Sequence, residues 1–339
     1  MRKSRLVYII LSVLVSTGLL WLLLSNVKTE DIIRTVSRIY VPALLTYMAM
    51  ALTAAWLRAW RYKLLLRPQP ISWPNMFLVT FIRNSLIDLL PARLGSLSYI
   101  YVLNKRLGFP FERATSSFVL AFVLDFLTLS PFLVVSVLAV GLGANSLSAP
   151  ALLLIASVFF LLVFLVYWKL VPFARFVLGV FGRVLRFVNL DDRAAARTAV
   201  RKFELTIQSL EAVRGQGGGM PIFLLSLLIR LAKYISVFAL FFGLLRSHGF
   251  SAGDLNFWTF ILGLSGAELT SALPIKGLAG FGTWESAWAL TFRMMGFDPK
   301  LAVISGIGVH LLTNVFEYSL GLASILILAW PYLRKKRKS

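Results

Sequence analysis

Residues 89–96 read Leu-Leu-Pro-Ala-Arg-Leu-Gly-Ser, and residues 273–280 read Leu-Pro-Ile-Lys-Gly-Leu-Ala-Gly. Each places a proline, a cation and a glycine inside a long apolar segment. Lipid can neither hydrogen-bond the backbone groups that a proline frees nor solvate the charge. A segment broken in this way does not read as a plain transmembrane helix. The apolar stretches around the two signals, about 75–104 and 256–296, are expected to be re-entrant helical hairpins, one in each half of the chain.

The rest of the composition agrees with a membrane setting. Hydrophobic residues make up 58% of the chain and charged residues 14%, with a mean hydropathy of +0.81, against roughly 25% charged residues in a soluble domain. Six further apolar runs, about 6–24, 41–57, 114–140, 150–168, 221–245 and 301–330, approach the ~20 residues that cross a ~30 Å hydrocarbon core as a helix. The first lacks a small-residue cleavage site and is too long for the apolar core of a signal peptide, so it is read as a span. The expected fold is an all-α polytopic membrane protein of about six transmembrane helices plus two re-entrant hairpins, forming a single membrane domain over 1–339.

Charge placement predicts the orientation. With both termini cytoplasmic, one side receives Arg2, Lys3, Arg5, the Arg58 to Arg67 group, Lys105, Arg106, Arg113, the cations between Lys169 and Arg214, and the 334–338 tail. The other side receives only Lys28, Arg34, Arg38, Arg246, Arg293 and Lys300. This positive-inside bias suits a multi-pass plasma membrane protein, in a bacterial inner membrane or an archaeal cell membrane. Reading the broken segments as two kinked full spans would give eight crossings and move Lys105, Arg106, Arg113 and the 169–219 loop outside, against the bias. With hairpins, 1–148 and 149–333 both run span, span, hairpin, span but start on opposite sides. That is an inverted repeat, the arrangement of secondary transporters whose sites lie where discontinuous helices meet.

The 169–219 loop reads as two helices. In the first, Phe173, Phe176, Val177, Val180, Phe181 and Val184 recur at helical spacing, with Arg175, Arg183 and Arg186 on the opposite face. Such a helix suits the anionic lipid headgroups of the cytoplasmic leaflet. The second, about 192–213, carries an apolar stripe of Val200, Phe203, Ile207 and Leu210. The net charge of +21 is thus spread along one membrane face, and no nucleic acid is expected as a partner. There is no cysteine and there are only two histidines, so disulfides, iron–sulfur clusters and thiolate zinc sites are excluded, and no metal or cofactor is expected. No glycine loop of a nucleotide-binding type is present.

Within the apolar sequence, Arg83, Arg93, Arg230, Lys233 and Lys276 are opposed by Asp88, Asp125, Glu268, Glu285 and Glu317. Each is costly alone in lipid, so most are expected to face the interior and pair. Such pairs either tie the bundle together or form a site. Cations beside helix breaks, where backbone N–H groups also favour an anion, point to a phosphate near Arg93 and Lys276. His310, Asn314 and Glu317 follow i, i+4, i+7 spacing and share a helix face. That face suits a proton relay, a cationic headgroup, or a polar seam packed against Arg230 and Lys233.

Arg58-Ala-Trp-Arg61-Tyr-Lys-Leu-Leu-Leu, the Leu89 to Gly95 motif, Asp125, and Leu273-Pro274 with Gly280-Phe-Gly282-Thr-Trp-Glu285 together resemble the lysylphosphatidylglycerol synthase transmembrane, or flippase-like, family. In bifunctional members this region translocates an aminoacylated phospholipid made by an attached transferase. No transferase domain accompanies it in this sequence. The resemblance therefore implies movement of a phospholipid or polyprenyl-phosphate-type lipid without its synthesis, with a homo-oligomer or a separate lipid-modifying enzyme as further partners. It adds Arg58, Arg61, Pro91, Pro274, Gly280 and Gly282 to the candidate substrate-binding set. The family often has Gly-Glu after the first Pro-x-Arg, where this chain has Gly95-Ser96.

Two enzymatic alternatives differ in the residues they need. Gly263-Leu264-Ser265-Gly266 fits the signature of rhomboid intramembrane proteases, with His310 as the base of a Ser-His dyad. A lipid-linked glycosyl or headgroup transferase would need an acidic metal site, for which the loops offer only Asp191-Asp192. Neither is the expected reading, and no catalytic residue is assigned.

Overall fold

Prolines and glycines set most of the helix limits. The computed structural model describes residues 17–19, 21, 23–25, 27–89, 95–141, 149–188, 193–215, 219–270 and 281–336. Among these there is no strand. A short amphipathic helix α1 (Thr29–Ser37) leads into α2 (Val41–Leu65), which carries Pro42 in its first turn, where the missing N–H costs nothing. Helix α3 (Trp73–Leu89) is followed by α4 (Ser98–Tyr101), which runs into a π turn over Val102–Arg106. Helices α5 (Phe111–Leu127) and α6 (Leu129–Gly141) are nearly continuous, interrupted at Thr128 close to Pro131, which cannot donate to the preceding turn.

The second half begins with α7 (Ala149–Trp168), twenty residues without a charge, and the interfacial pair α8 (Leu170–Phe187) and α9 (Ala194–Gly215). Then come α10 (Gly219–Leu245), α11 (Phe257–Thr270), α12 (Thr283–Met294) and α13 (Pro299–Lys336). Among the described residues, four helical stretches are long and apolar enough to cross a membrane: Val41–Leu65, Phe111–Val140, Gly219–His248 and Pro299–Trp330. A fifth candidate pairs Ser157–Leu165 with Leu170–Phe187 across a 65° bend. The protein is an all-α, multi-pass membrane protein. The apolar run expected at 6–24 lies largely outside the described residues.

Both broken segments form short arms rather than single long helices. At ~1.5 Å per residue, the 17, 14 and 12 residues of α3, α11 and α12 reach about 26, 21 and 18 Å. Helices α11 and α12 pack antiparallel. A Cβ on Gly263 would meet the Phe292 ring at 2.4 Å, and one on Gly266 would meet Thr291 at 2.5 Å. Packing across the halves is reciprocal. Helices α2 and α10 form the central pair, α3 packs on α13 of the second half, and α11 packs on α6 of the first. Helix α1 likewise packs on α13, and α9 on α5.

The amphipathic loop is as the sequence predicts. Helix α8 turns away from α7 and leaves Phe173, Phe176, Phe181, Val184 and Phe187 exposed. Helix α9 buries Ile207 and Leu210 beside α5 and adds a Ser116–Ser209 hydroxyl pair at 2.9 Å.

Helix α13 comes close to α3 at Gly321, where an added Cβ would lie 1.9 Å from the Ser85 hydroxyl and 2.2 Å from its Cβ. Small residues at such crossings allow helices to associate in lipid. Gly321→Val is expected to cost about 1–3 kcal/mol by overpacking, read as a lower thermal midpoint in detergent. Gly179→Ala, whose new Cβ would meet nothing within 4 Å, is expected not to lower it.

Candidate functional site

Eight helices, α6 among them through Leu129, converge on one cavity of about 250 Å³. Each contributes a helical stripe. Tyr47, Ala51, Ala54 and Arg58 come from α2, and Ser226, Arg230, Lys233 and Val237 from α10. Val309, His310, Thr313, Asn314 and Glu317 come from α13, Arg83 and Asn84 from α3, Asp125 from α5, Glu268 from α11, and Thr283 and Trp284 from α12. The two alanines on α2 leave room beside bulky neighbours. A cavity lined by ionisable groups at the core of a membrane bundle is costly unless those groups pair, and it marks a functional pathway.

One end is strongly cationic. The Arg61 guanidinium is fully buried and donates through Nη1 to Asp125 Oδ1 at 2.7 Å and to Ser226 Oγ at 3.0 Å. Arg83, 5% exposed, sits 4.0 Å from the other Asp125 oxygen. Arg58 and Arg83 both donate to the same neutral acceptor, Asn84 Oδ1, at 2.9 and 3.3 Å. Tyr62 lies beneath the Arg61 and Arg83 guanidiniums, 5.7 and 6.0 Å from its ring centre. Among the described residues the carboxylate of this cluster is Asp125, which pairs with Arg61 and approaches Arg83, while Arg58 rests on Asn84. The buried Nε groups of Arg58, Arg61 and Arg83, and Nη2 of Arg61, have no hydrogen-bond partner. Excess positive charge with spare donors is the chemistry of an anion seat, with phosphate the best geometric match.

The middle of the cavity is saturated. Arg230 donates to Glu268 Oε2 and to the Tyr234 hydroxyl, each at 3.1 Å, to Thr128 Oγ1 at 3.3 Å, and to the backbone carbonyl of Asp125. Lys233 Nζ meets Glu268 Oε1 at 2.5 Å. Arg230 thus ties α10 to α5 and to α11 at once.

At the far end, Glu285 is fully buried. Its Oε2 accepts the Gly282 N–H at 2.8 Å, and its Oε1 lies 2.5 Å from His310 Nδ1. Gly282 has φ +85°, a region that suits glycine, and this allows the sharp entrance to α12. The imidazole is flanked by Phe281 and Trp284, at ring-centre distances of 4.7 and 4.9 Å. Asn314 is buried with its Nδ2 unpartnered.

The cavity brings together Arg58, Arg83, Asp125, Arg230, Lys233, Glu268, His310, Asn314 and Glu317 of the sequence-based set, with Arg61 and Glu285 directly behind it. Pro91, Arg93, Pro274, Lys276 and Gly280 lie outside the described residues. Asp88 is on α3, but its side chain lies outside them too. Two expectations change in detail. The cationic end is built on the continuous helices α2 and α3, and Arg230 and Lys233 take Glu268 as their acid while His310 takes Glu285. Asn84, Ser226, Tyr62 and Thr128 escaped the sequence reading. Ser226 was discoverable, because it shares i, i+4, i+7 spacing with Arg230 and Lys233.

Ser265 is buried and faces the Tyr234 hydroxyl at 3.4 Å. It is not bonded to His310, so the rhomboid-type dyad is not formed. Among the described residues no group of three His, Cys, Asp or Glu is placed to hold a metal ion.

The family model described as the lysylphosphatidylglycerol synthase TM region matches residues 9–321. No curated protein matches the chain.

Breaking the Arg61–Asp125 pair strands a buried charge. Asp125→Ala is expected to destabilise the protein by about 3–5 kcal/mol. Lys233→Ala, which removes a cation 44% exposed, is expected to cost about 1 kcal/mol or less. Thermal unfolding of both variants in one detergent checks the contrast.

Proposed function

From the premise that this chain belongs to the lysylphosphatidylglycerol synthase transmembrane family, we infer that it moves a phosphate-bearing lipid between the leaflets of its membrane. Family membership gives the chain a membrane lipid-related role. The finer reading rests on one observation above all: among the described residues, the guanidiniums of Arg58, Arg61 and Arg83 cluster about the one carboxylate of Asp125. A lipid phosphate completes that balance. It accepts hydrogen bonds from Arg58 and Arg83, while the acyl chains remain in the surrounding lipid.

The reading takes the two halves as inverted repeats, with both termini cytoplasmic in a plasma membrane. Reciprocal packing of each half's hairpin arm on the last span of the other supports this, as does the charge asymmetry of the loops. Arg93 and Lys276, the cations of the two proline motifs, stay in the proposed substrate-binding set on the resemblance of those motifs alone. Glu317, which lines the same cavity from α13, suits a headgroup that also carries an amine.

The test is reconstitution in liposomes containing fluorescent phosphatidylglycerol or lysylphosphatidylglycerol, with transfer followed by loss of the signal accessible to an external quencher. The wild-type protein is expected to accelerate transfer of at least one of the two. The double variant Arg58→Gln, Arg83→Gln is expected to lose at least ten-fold of that acceleration, or about 1.4 kcal/mol of transition-state stabilisation. Transfer at the wild-type rate in the double variant overturns the phosphate seat.

A further inference from the structure

Most of the charged groups on the cavity wall are held by partners of the opposite sign or by Asn84, and the Glu285–His310 pair differs from them. Its acid is fixed twice over. Glu285 accepts a backbone N–H at the start of α12, where the helix dipole favours negative charge, and its second oxygen holds His310 Nδ1. Its base is not fixed. Among the described residues no hydrogen bond reaches His310 Nε2, while the ring itself borders the cavity. The imidazole is accommodated in both charge states. Neutral, it donates from Nδ1 to the carboxylate. Protonated, it forms an ion pair with Glu285, and the faces of Trp284 and Phe281 are favourable neighbours for a cation.

We propose that His310, backed by Glu285, is the proton-binding site of the transporter, and that a proton travels with the anionic lipid headgroup in the same direction. The proposal rests on the lipid-translocation reading given above. In the loading step a hydronium ion from water in the open cavity transfers its proton to Nε2, giving an imidazolium beside the Glu285 carboxylate. In the release step that proton returns to water on the other side and the ring is again neutral. One positive charge is thus gained and lost per cycle, with no change at Glu285.

Linkage fixes the direction of coupling. The charged groups facing the same cavity are Arg58 on α2, Arg83 on α3, Asp125 on α5, Arg230 and Lys233 on α10, Glu268 on α11 and Glu317 on α13. Asp125 is engaged by Arg61 and Glu268 by Arg230 and Lys233. A phosphate seated on Arg58 and Arg83 and a proton on His310 bring opposite charges into one cavity, so the binding of each favours the other. Two ligands that bind cooperatively to one alternating cavity cross together.

Proteoliposomes carrying fluorescent phosphatidylglycerol and an internal pH-sensitive dye test this with an imposed pH gradient. With the donor-leaflet side one pH unit more acidic, lipid transfer in the wild type is expected to be several-fold faster than under the reversed gradient, with lipid-dependent acidification of the opposite compartment. His310→Gln is expected to bring the forward-to-reverse ratio to one. Glu285→Gln retains a side chain able to cap the Gly282 N–H and is expected to do the same without unfolding the α12 entrance. Wild-type transfer indifferent to the gradient, or a ratio preserved in either variant, overturns the proton site while leaving translocation standing. No lipid transfer by the wild type under any gradient overturns the translocation reading itself.

Discussion

Asp125 has to balance more positive charge than one carboxylate can. Its oxygens serve Arg61 and Arg83, and its backbone carbonyl serves Arg230, so helices α2, α3, α5 and α10 are all drawn to one point of the membrane interior. In a low-dielectric setting none of these partners is dispensable, because each charge left behind would be stranded. The same residue therefore helps fix the central crossing of α2 and α10, while among the described residues Arg58 rests on a neutral amide, Asn84.

Hydropathy and loop charge made the membrane class and the positions of α2, α5–α6, α7, α10 and α13 legible, because a span is a local property of about twenty residues. The amphipathic α8 and the buried stripe of α9 were legible for the same reason. The list of intramembrane charges was sound because such residues rarely face lipid. Their pairing was not legible. Arg230 lies 38 residues from Glu268, and Arg61 lies 64 from Asp125, separations that only the packing of whole helices closes. The neutral members were hidden as well. Asn84 and Thr128 look like ordinary polar residues until Arg58, Arg83 and Arg230 are seen to reach them. The expected phosphate site at Arg93 and Lys276 falls outside the described residues, and among those described the guanidiniums cluster at Arg58, Arg61 and Arg83.

Reciprocal contacts between the halves give the cavity its shape. One arm of each hairpin leans on the final span of the other half, and glycines at the crossings bring backbone against backbone where a side chain would hold helices apart. The two ends of the cavity differ in chemistry even so. The first half contributes guanidiniums, Asp125 and a neutral amide, and the second contributes carboxylates, a histidine and two cations that already have an acid. The asymmetry of Ser96 and Glu285 in the two motifs extends to the whole site.

The brevity of the hairpin arms bears on the surrounding bilayer as well as on the protein. Arms of about 18 and 21 Å sit in a hydrocarbon layer of ~30 Å, and on α12 Leu290 and Met294 are exposed. A bilayer accommodates a short apolar surface by thinning locally. Lipids bordering this hairpin therefore face a shallower hydrophobic barrier than lipids elsewhere. Thinner membranes therefore need the least deformation to meet these arms.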